Sequence, residues 1–101
     1  MEQFKRKRDL QGAVILLLRE FKESGEPIHW HVNRYYTSQP NLCIVVCGLA
    51  LFVLLQSKSG VISDRQKQAI IEWEDGGAAT VVARTVHDVR KAVEYCLGVE
   101  C

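Results

Sequence analysis

The apolar positions of this chain follow a helical period in some segments and a strand period in others. Five apolar residues near the start recur at steps of three and four, which is the spacing of one helix face. They are Leu10, Val14, Leu17, Leu18 and Phe21. The spacing predicts a long helix over residues 3–24, with Gly25 as its natural stop. Pro27 forbids continuation, and the alternation over 28–33 then predicts a strand with two unlike faces.

The most apolar part of the chain lies at its centre. A run over 41–47 meets Gly48, and a second run over 50–55 follows almost at once. Runs this short, rich in branched residues, are typical of strands that are covered on both faces. They are too short for a membrane span, which needs about 20 consecutive apolar residues. The pattern therefore predicts a hairpin at the heart of a sheet.

Two capping boxes predict where the later helices begin. Ser63 is followed three residues on by Gln66, which can reach back to the cap amide and open a helix running to about 74. A short fourth strand is predicted over 79–83. Thr85 with Asp88 then caps a last helix, whose apolar stripe ends at Gly98.

The resulting order is αβββαβα. It predicts an α/β protein with a mixed sheet and helices on both faces. The 101 residues are of the length of one domain, 1–101, which can bury a sufficient core without covalent cross-links.

Charge and cysteine content add a few constraints. The net charge of +1 and 25% charged residues describe an ordinary soluble protein, although the basic residues are concentrated near the start. Lys5, Arg6, Lys7 and Arg8 form that run, which is either a solvated helix face or a phosphate contact. Met1 leads into charged residues, so no signal peptide is predicted.

The four cysteines favour a reduced, cytoplasmic protein. Cys43 and Cys47 fall within the predicted second strand, where small buried thiols are expected. Cys96 and Cys101 have no CxxC spacing or histidine pair beside them, so no zinc site is predicted.

Several short strings, in this order of elements, together resemble one nuclease family. They are Asp9-Leu10-Gln11, Pro40 with Leu42, Phe52-Val53 with Leu55, Gly60-Val61-Ile62-Ser63, Gln66, Gly76-Gly77 and the helix led by Thr85. Over almost its whole length the chain resembles the virus-type replication–repair nuclease domain (VRR-NUC) of the PD-(D/E)xK nuclease superfamily. The resemblance implies the superfamily fold and, as ancestral substrate, branched, flapped or junction DNA bound in part by the basic run and Lys58. It also implies a homodimer, as in small phage-type members.

The chemistry that this family uses is absent at the matching positions. Asn41 occupies the position of the family's aspartate, Leu54 that of its glutamate and Gln56 that of its lysine. Lys7 stands where the first helix often carries another acid, whereas Gln66 matches the family. The resemblance implies two acids that hold Mg²⁺ or Mn²⁺, hard cations that bind carboxylate oxygens. We therefore expect no metal and a disabled or replaced nuclease site.

Cys43 is the candidate for a replacement chemistry. By strand parity it shares a face with Asn41, and His29 and His31 share one face of the first strand. If these faces coincide, His31, or else His29, could activate the thiol as a nucleophile toward activated esters. Asn41 or Gln56 could then donate an amide hydrogen bond to the oxyanion. The structural alternative is that Cys43 is a small buried residue of the strand.

Three functions stay open from the sequence. The first is a DNA-binding or scaffold protein without catalysis, and the second is an engineered or repurposed Cys–His hydrolase. The third is residual nuclease activity that draws on other acids, such as Glu20 or Glu26.

Overall fold

The computed structural model describes residues 6–33 and 40–100. The elements are α1 (Lys7–Glu23), β1 (Ile28–Val32), β2 (Leu42–Val46), β3 (Leu49–Leu55), α2 (Asp64–Asp75), β4 (Ala79–Ala83) and α3 (Val86–Glu100). This is the predicted αβββαβα order. Lys5 and the predicted polar loop over 35–39 lie outside the described residues.

One four-stranded sheet joins the strands in chain order, β1-β2-β3-β4. β1 pairs with β2 and β2 with β3, both antiparallel, whereas β3 and β4 are parallel. The sheet is therefore mixed, as predicted. β2 and β3 are the central strands, which explains why their sequences are almost wholly apolar.

The two faces of the sheet carry different helices. α1 and α3 cover one face, where their apolar stripes bury the alternate residues of all four strands. That core includes Leu10, Leu18, Leu42, Val53, Ala83 and Val93. α2 lies on the opposite face, where the Trp73 ring meets the Phe52 ring edge-to-face at 5.4 Å between centroids. The prediction of helices on both faces is confirmed.

The hairpin between β2 and β3 turns on two residues with positive φ. Cys47 has φ of 50° and Gly48 has φ of 82°, the combination that a tight two-residue hairpin turn requires. Cys47 is therefore a half-buried turn residue, and its prediction as a strand residue is wrong. Cys47 is also disulfide-bonded, which corrects the expectation of reduced thiols.

The helix caps form as predicted, but the start of α1 and the end of α3 differ from the prediction. Ser63 accepts from the Gln66 amide at 3.1 Å, and Thr85 accepts from the Asp88 amide at 3.2 Å, so both predicted capping boxes form. α1 begins at Lys7, later than predicted, because Arg6 is extended. α3 continues through Gly98, because a glycine without positive φ weakens a helix without ending it. In the part of the chain that the structure describes, no helix has the length and apolar character to cross a membrane.

Candidate functional site

The register of the strands places the predicted site residues on the face that carries α2. His31 lies opposite Cys43, and Cys43 lies opposite Phe52. Because side chains alternate along a strand, the neighbouring site residues of each strand point to this same face. They are His29 on β1, Asn41 beside β2, and Leu54 and Gln56 at the end of β3. Parity predicted which residues share a face within each strand, and the register shows that these faces coincide.

α2 covers only part of this face and leaves the part over β1 and β2 open; the boundary region is called the cleft below. Besides the contact of Trp73 with Phe52, the Glu74 carboxylate accepts from the Thr80 hydroxyl at 2.8 Å, which holds α2 over β3 and β4. Over β1 and β2 the side chains of His29, His31 and Val45 are exposed. The site residues thus line the boundary between a covered and an open half of one sheet face.

Asn41 is held in place by hydrogen bonds to both neighbouring strands. Its side-chain oxygen accepts from the Leu55 amide at 2.7 Å, and its backbone amide donates to the Val53 carbonyl at 2.8 Å. Its own carbonyl accepts from the Asn33 amide at 2.9 Å. The Asn41 side-chain oxygen is therefore already used to join the start of β2 to the end of β3.

The two β3 positions of the site are closed to solvent. The Leu54 side chain belongs to the buried interior, with 1% exposure, and Gln56 is 4% exposed. The Gln56 side-chain amide donates to Gln66 Oε1 at 3.4 Å, and the same oxygen accepts from the Ser63 amide at 3.0 Å. Gln66 is thereby connected both to Gln56 and to the cap of α2.

Gly60 lets the loop after β3 approach this network. A Cβ at Gly60 would come within 2.5 Å of Gln56 Oε1 and 3.0 Å of Ser57 Oγ. A side chain there would have to displace the Gln56 amide. Glycine at this position is thus explained by close packing of the loop over Gln56.

The residues present do not fit a hard divalent cation. Magnesium and manganese take carboxylate and carbonyl oxygens, whereas this site offers one committed amide oxygen, a leucine and a buried glutamine. Among the described residues there is no group of three acids, histidines or cysteines that could hold a metal ion. Of the acids proposed for residual nuclease activity, Glu20 lies on α1, with its carboxylate 4.0 Å from Arg90 of α3.

Cys43 is a half-buried free thiol whose proton is held more tightly than usual. Burial raises the pKa of the Cys43 thiol above its ordinary value, and the Asn33 side-chain amide, 3.7 Å from Sγ, lowers it by less. His31 is its cross-strand neighbour, but the hydrogen bonds found within 6–33 and 40–100 do not join the two. The direction of the pKa shift is opposite to that expected for a histidine-activated thiol.

His29 takes part in a different contact. Its Nδ1 atom lies 3.2 Å from the Lys22 ammonium. An ammonium has no lone pair, so in this contact Lys22 is the donor and Nδ1 is the acceptor. His29 is therefore joined to Lys22 of α1, and the hydrogen bonds found in the described ranges do not join it to Cys43.

The basic residues are exposed but differ in their partners. The Arg6 guanidinium bonds the Asp9 carboxylate at 3.0 Å. Lys7 and Arg8 are exposed in the first turn of α1, and Lys58 is exposed just after β3. Within the described ranges these last three form no ion pair. No contact there joins Lys7 to the cleft residues.

Two polar residues of this region were missed from the sequence. Asn33 bonds the Pro40 carbonyl at 2.9 Å besides contacting Cys43. Strand parity could have found it, because it continues the series His29 and His31. Arg84 donates to the Ser57 carbonyl at 2.8 Å and so ties the end of β4 to the loop after β3. No local pattern signals that long-range bond.

Comparison with known proteins identifies the fold. No protein-family profile matches the sequence, and no curated protein matches it either. A solved structure described as a "VRR_NUC domain" is similar, with a TM-score of 0.59 and 20% sequence identity. The match covers 83% of this chain and 94% of that chain. The arrangement of strands and helices around this cleft is therefore the fold of a VRR_NUC domain.

Proposed function

We propose that this chain is a VRR-NUC-type scaffold that binds branched, flapped or junction DNA and lacks metal-dependent cleavage. One observation carries the proposal: the positions matching the family's catalytic groups hold Asn41, Leu54 and Gln56, whose side chains are committed or buried. An asparagine oxygen bonded to Leu55 and a buried leucine cannot replace two carboxylates as ligands of a hard cation. The protein is proposed to use no cofactor.

Binding to DNA is supported by the exposed basic residues. Lys7, Arg8 and Lys58 present charges that no described carboxylate neutralises. Each phosphate contacted by such a group releases condensed counterions, so affinity falls as salt rises. This mode of binding needs no metal and no base-specific contact.

The test is a titration of a fluorescent flap or junction oligonucleotide in EDTA over a range of salt concentrations. In the variant with Lys7→Ala and Arg8→Ala, the slope of log affinity against log salt should fall by about 0.9 for each lost phosphate contact. A matched control carries Lys67→Ala and Arg90→Ala, which remove two cations that already face carboxylates at 3.9 and 4.0 Å. The control should keep a steeper slope of log affinity against log salt than the variant with Lys7→Ala and Arg8→Ala.

Two results would overturn this function. One is cleavage of the flap or junction oligonucleotide by the unaltered chain when Mg²⁺ or Mn²⁺ is added. The other is equal salt dependence of the two double variants, which would mean that the first turn of α1 does not contact phosphate. Light scattering would separately measure the homodimer, which we propose from the family resemblance alone.

The Cys–His hydrolase is a second candidate, supported by the cross-strand pairing of His31 with Cys43. The raised pKa of the thiol counts against it, because a protonated thiol is a poor nucleophile. A cytoplasmic location stays a prediction, since the disulfide at Cys47 removes the support that reduced thiols would provide.

A further inference from the structure

The outer edge of β4 is the second surface of interest. β4 pairs in parallel with β3, and the Ala83 carbonyl accepts from the Gln56 amide at 2.9 Å. In a parallel pair, alternate residues direct both backbone groups to the neighbouring strand. Residues 79, 81 and 83 therefore face β3, and Thr80 and Val82 direct their N–H and C=O groups outward. No strand within the described ranges pairs with that edge.

This edge lacks the features that usually prevent pairing with another chain. Its residues, Ala79–Ala83, include no charge and no proline. The opposite edge of the sheet differs, because the Lys22 ammonium lies 5.7 Å from the Trp30 ring centre and contacts His29. A cation therefore lies beside the β1 edge of the sheet, whereas the β4 edge has no charge or proline that would hinder pairing with another strand.

A groove of about 520 Å³ runs beside β4. α3 forms one wall through Ala92 and Tyr95, and Glu74 of α2 lies at the other side. The Tyr95 ring is 67% exposed although it borders the groove. Lys91 also lines the groove and is exposed, with no ion pair in the described part of the chain.

We propose that this edge binds an extended peptide of another protein, which adds a fifth strand beside β4. The peptide backbone would form hydrogen bonds with the outward N–H and C=O groups of Thr80 and Val82. Its alternate bulky apolar side chains would fill the groove against Tyr95. An acidic residue of the peptide would form an ion pair with Lys91. A second copy of β4 fits less well, because its only side chains for the groove are those of Ala79, Val81 and Ala83. These would leave much of the volume empty and lose packing contacts.

The peptide itself provides the first test. The probe is a fluorescent peptide of about seven residues, with isoleucine and phenylalanine alternating with threonine and a glutamate at each end. Two derivatives carry N-methyl groups, one on the threonines and the other on the apolar residues. Because only alternate amides of an added strand face its neighbour, just one derivative should lose affinity, by about tenfold or more.

Protein variants provide the second test. Val82→Pro removes an outward N–H group, so peptide binding should be lost while the melting temperature changes little. Val81→Pro is the matched contrast, because it removes a bond to β3 and should destabilise the fold. Tyr95→Ala should weaken binding about tenfold without unfolding the protein.

Four outcomes would overturn the proposal. They are no binding of the parent peptide at millimolar concentration, equal affinities of both methylated derivatives, and unchanged peptide affinity of a folded Val82→Pro protein. The fourth is a dimer that Val82→Pro converts to monomers in light scattering, which would make the occupant a second copy. The groove beside this edge is lined by none of Lys7, Arg8 and Lys58, so failure here would leave the proposed DNA binding untouched.

Discussion

Single side chains at the candidate site form hydrogen bonds that hold neighbouring segments together. The Asn41 side-chain oxygen accepts from the Leu55 amide, and the Gln56 side-chain amide donates to the Gln66 side-chain oxygen. Each bond removes from the cleft a group that could have faced a ligand. Cys43 is the remaining residue with reactive chemistry, and its surroundings favour the protonated thiol.

We predict that Cys43 is alkylated slowly at neutral pH. Burial raises its pKa, so the thiolate appears only above the range of an ordinary cysteine. Iodoacetamide labelling against pH, read for Cys43 by peptide mass spectrometry, should give a midpoint above that of the unfolded chain. Asn33→Ala should raise the midpoint further, whereas His31→Ala should leave it unchanged.

The same shift has a consequence for stability. The folded state holds the Cys43 proton more tightly than the unfolded state, which adds to the free energy of unfolding. This stabilising contribution is fully present below the pKa of Cys43 in the unfolded chain. It is lost as the pH rises through the folded pKa. A midpoint that rises on His31→Ala would contradict this account and restore the Cys–His pair.

At the scale of elements, local signals were reliable where they acted within a few residues. The capping boxes at Ser63 and Thr85 form, and the Gly76-Gly77 pair ends α2. The hairpin between β2 and β3 shows the limit of such signals. Residues other than glycine seldom adopt positive φ, so the sequence predicted Cys47 to be a strand residue rather than a turn residue.

Ser63→Ala should destabilise the protein by about 1 kcal/mol, because the hydroxyl is the acceptor for the Gln66 amide. The same oxygen of Gln66 that closes the capping box also accepts from Gln56. Urea denaturation at constant pH measures the change. Ser59→Ala, an exposed substitution in the preceding turn, is the matched control and should lie within about 0.5 kcal/mol of the parent. Equal stabilities of the two variants would show that the cap contributes nothing.

At the scale of the whole molecule, the chain has the fold of a VRR_NUC domain. The candidate-site positions Asn41, Leu54 and Gln56 carry no acid. A sheet of this kind needs alternate apolar positions, covering helices and satisfied backbone groups. None of these requires a carboxylate at the candidate site, so the fold can form without one.

The scaffold should accept the missing groups again. The unaltered protein should show no rise in melting temperature with Mg²⁺ beyond that of matched ionic strength. In the triple variant Asn41→Asp, Leu54→Glu and Gln56→Lys, buried charges should lower stability without metal. Added Mg²⁺ or Mn²⁺ should then raise the melting temperature and permit cleavage of branched DNA.

A matched variant keeps two of the changes but carries Leu54→Gln in place of Leu54→Glu. It should gain neither metal stabilisation nor cleavage, because one carboxylate is missing. If the triple variant folds yet binds no metal, the three positions do not correspond to the family's catalytic groups.

Much of the fold followed from the sequence because periodicity and caps are local. The spacing of apolar residues specified seven elements, and strand parity put Asn41, Cys43, Leu54 and Gln56 on one face. The family resemblance then implied the superfamily fold for this order of elements. These properties depend on neighbours within one element or on matched strings along the chain.

Only the tertiary structure decided which of those residues meet. The bonds from Asn33 to Cys43, from Asn41 to Leu55 and from Gln56 to Gln66 join segments that are distant in sequence. The burial that raises the pKa of Cys43 and the unpaired outer edge of β4 also depend on where whole elements lie. Sequence patterns report the period of one segment, whereas contact distance and burial arise from how separate segments cross.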